Sequence, residues 1–121
     1  MSSVRAVRGA TQVDENSSGA IDLATRELVT QVMESNSLTP DDVISMIFTM
    51  SPDLDAAFPA ASARALGFEY VPLICAVEIA VPGSLPRTIR LMAHIQTERS
   101  AREISHIYLH GARALRSDIA Q

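Results

Sequence analysis

Apolar residues recur along this chain with two different periods, and the changes of period mark its elements. Val4 to Arg8 alternates as Val-Arg-Ala-Val-Arg, which predicts a short strand whose arginines, Arg5 and Arg8, point to opposite faces. From Ile21 the spacing lengthens: Ile21, Ala24, Leu28 and Val32, with Val29 and Met33 beside them, fall on one face of a helix. The polar stretch Asp14 to Ser18 comes before it, and Ser17 or Ser18 can cap a helix expected to run to about Asn36 and cover one face of a sheet. Thr39-Pro40-Asp41-Asp42 reads as a single capped turn with proline at its first helical position. Val43 to Thr49 is almost unbroken apolar sequence, as a central strand buried on both faces would require. Ser51 to Asp55 breaks that run, and the alanine-rich Pro59 to Leu66, stopped by Gly67, predicts a short helix.

Two further apolar runs, Val71 to Val81 and Arg87 to Gln96, flank Pro82-Gly83-Ser84-Leu85-Pro86, which predicts an antiparallel hairpin. Centring its loop on Ser84 sets Glu78 opposite Arg90 on one face of the sheet. Read structurally, this is a cross-strand ion pair; read functionally, an acid and a guanidinium meet there beside the thiol of Cys75. Cys75 and Glu78 have opposite parity, so a bulge near Ala76 to Glu78 is expected if both are to touch one ligand. Thr97 to Glu103 is charged and holds one helical turn. Ile104 to Leu109 gives a last strand carrying Tyr108, and Gly111 to Arg116 is read as its extension. This order predicts one α+β domain over residues 1–121, with a mixed, mostly antiparallel sheet covered on one face by helices.

Composition narrows the functions open to such a domain. A formal charge of -4 and the absence of any basic tract argue against nucleic acid or an anionic membrane as partner. All ten basic residues are arginine, which excludes lysine Schiff bases and favours fixed, paired capture of carboxylates. A single cysteine excludes an intrachain disulfide and a multi-cysteine zinc site. With only five aromatic residues the core must be aliphatic, and a dimer or trimer would help complete it. No apolar signal core opens the chain and no run reaches transmembrane length, so a cytoplasmic location is expected.

Other candidate residues carry little by themselves. Gly9-Ala10-Thr11 supplies small side chains past which a ligand could approach the backbone. Arg64 is the one cation of the short helix; it is either a solvated surface charge or a group reaching a neighbouring subunit's site. His106 and His110 have metal-binding spacing only on a helix, and they fall in strand-like sequence; His94 is read as a packed or interface residue. No glycine-rich phosphate loop, nucleophile elbow or histidine triad is found.

Several separate segments nevertheless match one family in order and at nearly constant spacing. Val7 to Thr11, Thr49 to Phe58 with its Ser-Pro-Asp-Leu core, Tyr70-Val71-Pro72, Cys75 with Glu78, Ile89-Arg90, Gln96-Thr97 and His106 to Leu109 resemble the monofunctional chorismate mutases of the trimeric α/β class. The likeness runs from about Val4 to Ile119. It implies a homotrimeric pseudo-barrel of ferredoxin-like layering, with active sites at subunit boundaries. It also implies the rearrangement of chorismate to prephenate on the route to phenylalanine and tyrosine, without cofactor or metal.

By the same resemblance Arg90 contacts the ether oxygen and a carboxylate, Arg8 holds a carboxylate, and Tyr108 donates to it. Glu78 and Cys75 meet the ring-hydroxyl region. Phe58, Arg64 and the backbone around Leu73 and Ile74 form the pocket wall, with Leu115 near the mouth. Ala61 stands where the family often has a basic residue and Ile74 where a small hydroxyl residue is common, and the chain is about one residue shorter near Leu66-Gly67. Two other readings stay open from the residues alone. One is a trimer of related fold that acts on imines; the other is a non-catalytic trimer that binds a carboxylate or a partner enzyme.

Overall fold

Five strands and two α-helices make up the computed structural model, which describes residues 2–116. The far end of the family-like segment, at Ile119, lies outside the described residues. In chain order the elements are β1 (Ser3–Gln12), α1 (Ser18–Ser35), β2 (Val43–Met50), α2 (Pro59–Ala65), β3 (Leu73–Val77), β4 (Thr88–Thr97) and β5 (Ile107–Tyr108). Short 3-10 turns at Pro40–Asp42, Ala101–Glu103 and His110–Arg116 join or follow them. The fold is α+β around one mixed sheet of order β3-β2-β4-β1-β5. The inner pairings, β2 with β4 and β4 with β1, are antiparallel, while each edge strand runs parallel to its neighbour.

This order corrects the expected hairpin. β3 and β4 do not pair; β2 lies between them, hydrogen-bonded to both. The apolar run read as one long strand gives only Leu73–Val77, and the chain from Glu78 to Arg87 is irregular, with Gly83 and Arg87 at positive φ. The middle strand is therefore β4. β2 is interior but is not buried on both faces: Val43, Met46 and Phe48 are buried, while Ser45, Ile47 and Thr49 on the other face are only half-buried. A bulge between Val43 and Ser45 leaves Ile44 outside the pairing. The segment read as an extension of the last strand, Gly111 to Arg116, is instead 3-10 turn.

Local chemistry accounts for the helices. Ser17 caps α1, its Oγ accepting from the Ala20 amide at 3.1 Å. The buried residues Ile21, Leu28, Val29, Val32 and Met33 then form one stripe that lies on the sheet. Burying each such side chain contributes about 1.5–3 kcal/mol. Under the stripe lie Val7, Phe48, Leu91, Ala93 and Ile95. Gly9 makes room for this contact: a Cβ there would stand 3.0 Å from Leu28 Cδ1 and 3.2 Å from Val32 Cγ2. α2 begins with Pro59 at its first turn and stops before Gly67, whose φ of +106° glycine tolerates freely.

Two polar clamps fix the ends of the sheet. Buried Asn36 donates to Val32 O and Ser105 O and accepts from the Ser105 amide, fastening the end of α1 to the segment before β5. At the other end Ser51 Oγ donates to Asp53 at 2.6 Å, and Asp53 accepts the Arg87 amide. The Thr88 amide donates to Ser51 Oγ at 2.8 Å, so the Ser-Pro-Asp-Leu segment fixes the start of β4. Both helices lie on one face of the sheet. Its other face is left without an α-helix among the described residues, and the candidate cleft lies there.

Candidate active site

Side chains alternate across a strand, so the strand order and register decide which residues share the helix-free face: even-numbered on β1 and β4, odd-numbered on β2. Arg90 on β4 is in register with Ala10 on β1 and with Thr49 on β2, and Arg8 is in register with Met92. Tyr108 on β5 is paired with Ala10. These pairings gather Arg8, Ile47, Thr49, Arg90, Met92 and Tyr108 around one cleft of about 310 Å³. A larger groove of about 630 Å³ lies at the edge formed by the segment around β5 and contains Arg102 and Arg113, but neither Arg8 nor Arg90. The smaller cleft is the better candidate because two arginines carried on rigid strands open into it.

The backbone holds these groups firmly. β1 and β4 pair over ten residues each, from Ser3 opposite Thr97 to Gln12 opposite Thr88. The Arg8 amide donates to His106 Nδ1 at 3.0 Å, which places the proton of neutral His106 on Nε2 and ties the segment before Tyr108 to β1. No hydrogen-bond or ion-pair partner is found for the Arg8 guanidinium among the described residues. Tyr108 is buried with Ala10 and Ala112, and Leu115 packs half-buried against that cluster.

Glu78 reaches the same face by a route the hairpin reading did not contain. It follows the last residue of β3, and its amide donates to Met50 O at 2.9 Å, continuing the parallel ladder by one step. Its carboxylate leans over β2: Oε2 accepts from Thr49 Oγ1 and lies 3.3 Å from Arg90 Nε. The expected ion pair therefore exists, with β2 between its two strands. Thr49, like Ile47 and Met92 around the same cleft, is not among the candidates read from the sequence. Its parity within the Val43 to Thr49 run was readable, but its place between Glu78 and Arg90 depends on strand order.

The remaining candidates lie elsewhere. The register from Leu73 to Val77 is regular, so no bulge turns Cys75 toward Glu78. Cys75 is in register with buried Phe48 and packs against the main core, on the face opposite Arg8 and Arg90. Cys75, Phe58, Met50, Ala57 and Val77 line a second, apolar cleft of about 370 Å³ at the β3 edge. Phe58, just before α2, is 72% exposed, and Ile74 on the helix-free face is 60% exposed. Leu73 is half-buried on the core side, and Arg64 and Ala61 are exposed on α2. The structure thus brings together Arg8, Glu78, Arg90, Tyr108 and Leu115, and sets Phe58, Arg64, Leu73, Ile74 and Cys75 at the other edge.

Among the described residues, no three His, Cys, Asp or Glu side chains converge as a metal site would require, and no helix is long and apolar enough to cross a membrane. What the cleft offers is two guanidinium groups, a phenol and a carboxylate on a fixed sheet. That set suits an organic anion with more than one carboxylate.

Comparison with known proteins agrees with this chemistry. A family model described as chorismate mutase type I matches residues 4–119. The chain is 44% identical to a chorismate mutase of Thermus thermophilus over 96% of both chains. It is 38% identical to one of Bacillus subtilis over 97% of this chain and 93% of that one. A solved chorismate mutase from Clostridium thermocellum superposes with a TM-score of 0.90 at 46% identity, covering 91% of this chain and 98% of that one. The chain belongs to the type I chorismate mutases, enzymes of aromatic amino acid biosynthesis. Its reaction is the conversion of chorismate to prephenate.

Proposed function

We propose that the rearrangement takes place in a cleft completed by two protomers of a homotrimer. One protomer gives Arg8, Glu78, Arg90, Tyr108 and Leu115; its neighbour gives Phe58, Arg64, Leu73, Ile74 and Cys75. The observation that carries this is the strand order, because β3 and β5 are opposite edges of the sheet. At about 4.8 Å per strand, β1 and β3 are roughly 14 Å apart and β3 and β5 roughly 19 Å. A small dianion touching Arg8 cannot also rest on Phe58 of the same chain. The exposed apolar residues Phe58, Tyr70, Ile74, Val77 and Ile79 near the β3 edge support burial of that edge against another copy.

The chemistry asks for little that this site lacks. A one-step intramolecular rearrangement needs no nucleophile and no proton transfer. It needs the flexible dianion held in the compact conformer that brings the reacting carbons together, and it needs charge stabilisation as the C–O bond breaks ahead of C–C bond formation. Arg8 fixes a carboxylate by paired, charge-assisted bonds, with Tyr108 donating to the same group. Arg90 binds a carboxylate and donates to the ether oxygen, which gains negative charge only in the transition state. Glu78 accepts from the ring hydroxyl and offsets positive character developing on the ring. Glu78 Oε2 also contacts Arg90, so substrate binding turns that arginine from the carboxylate to the substrate.

Subunit mixing tests the shared site. An Arg90→Ala protein and an Arg64→Glu protein, each poorly active alone, are unfolded together and refolded as mixed trimers. If each site draws one half from each of two protomers, random assembly restores about a quarter of wild-type activity. No recovery in trimers shown to be mixed would place the whole site within one chain.

A further inference from the structure

We infer that Thr49 is a positioning residue for Glu78, its hydroxyl holding one carboxylate oxygen on the sheet so that the other is presented to the substrate. The inference rests on the reading of Glu78 given under Proposed function and adds to it the group that orients that side chain.

Glu78 is poorly fixed by its own element. It lies past the end of β3, where only its amide is held, by Met50 O. Its side chain has three free torsions, and ordering such a chain costs conformational entropy. The carboxylate is nevertheless set in one place, 25% exposed, with Oε2 taken by both Thr49 Oγ1 and Arg90 Nε. Of these two partners, Arg90 is the mobile one. Its guanidinium is on a long chain, is 47% exposed, and is the group that must turn to the substrate. Thr49 does not turn. Its branched Cβ leaves few χ1 choices, and it sits on an interior strand bonded on both sides, in register with Ala76 and with Arg90. When Arg90 leaves Glu78 for the ether oxygen, Thr49 is the partner that remains.

An ordinary strand residue would also be a β-branched one, so shape alone does not separate the two roles; the hydroxyl does. Thr49→Val keeps the shape and removes the donor, whereas Thr49→Ser keeps the donor and removes the methyl. The effect should fall on kcat and not KM, because an unheld Glu78 still lies in the cleft but is misaimed in the transition state.

The experiment measures kcat and KM for chorismate in Thr49→Val and Thr49→Ser, each alone and combined with Glu78→Ala, with thermal unfolding of every variant. Thr49→Val is expected to lose roughly tenfold in kcat with KM nearly unchanged, and Thr49→Ser to stay within roughly threefold of wild type. In the Glu78→Ala background Thr49→Val should have no further effect, because the group it orients is gone. If Thr49→Val lowers the melting temperature, Thr49→Ala takes its place in the same comparison. The inference is overturned if Thr49→Val retains wild-type kcat, if Thr49→Ser falls as far as Thr49→Val, or if the loss persists undiminished without Glu78. Wild-type turnover by Glu78→Ala would remove the underlying reading of Glu78; an impaired Glu78→Ala with an unaffected Thr49→Val would remove the role of Thr49 alone.

Discussion

Arg90 Nε and Glu78 Oε2 are 3.3 Å apart although a whole strand, β2, runs between the chain segments that carry them. The two side chains meet above Thr49, at the cleft proposed to bind the dianion. A carboxylate in that position repels the bound substrate but helps the transition state. Glu78→Ala should therefore lower kcat by roughly 10²-fold while KM stays level or falls. Steady-state kinetics decide this; a raised KM with kcat intact would make Glu78 a simple binding group.

Cys75 packs on the core side of β3, facing away from Arg8 and Arg90 of its own chain. In the proposed shared site a thiol so placed shapes the wall of a neighbour's cleft and does no covalent work. Cys75→Ser is expected to cost only a few-fold in kcat/KM. Complete inactivation of a folded Cys75→Ser protein would mean thiol chemistry and a different mechanism.

Gly9 lies where α1 approaches the sheet, and an added methyl group would meet Leu28 and Val32 at 3.0 and 3.2 Å. Gly9→Ala should destabilise the protein by about 1–3 kcal/mol through overpacking. The urea midpoint at fixed protein concentration measures it, and an unchanged midpoint would show that the helix shifts without cost.

Much of the fold was legible because it is written locally. The cap at Ser17, the stripe from Ile21 to Met33, the turn at Pro40 and the stop at Gly67 each depend on neighbours a few residues away. Strand pairing does not. Val71 to Val81 and Arg87 to Gln96 look like a hairpin, but β2, much earlier in the chain, inserts between them and takes the hydrogen bonds of both. The alternation predicts β1 only from Val4 to Arg8; pairing with β4 carries it on through Gly9-Ala10-Thr11 to Gln12. The site shows the same division. Arg8, Arg90 and Tyr108 could be named in advance, whereas the place of Thr49 between Glu78 and Arg90 follows only from strand order.

Asp53 joins the loop after β2 to the start of β4. The Ser51 hydroxyl, and after it the Arg87 amide, hold its carboxyl below the usual carboxylate range. The folded state thus binds this proton less readily than the unfolded chain. Its contribution to stability is present above the unfolded carboxyl's pKa of about 3.9 and is lost as pH falls through the folded value. Urea midpoints should decline below about pH 4, and the decline should be shallower in Asp53→Asn. Identical acid dependence in the two proteins would leave Asp53 without this role.

The account depends above all on Arg90 stabilising the oxygen that departs from carbon in the transition state, and turnover of chorismate by Arg90→Ala tests it most directly. In protein that is folded and has the wild-type oligomeric state, kcat should fall by roughly 10²–10³ or more, and Arg90→Lys should recover little because an ammonium cannot reproduce the guanidinium fork. Near-normal turnover by a correctly assembled Arg90→Ala protein would contradict it.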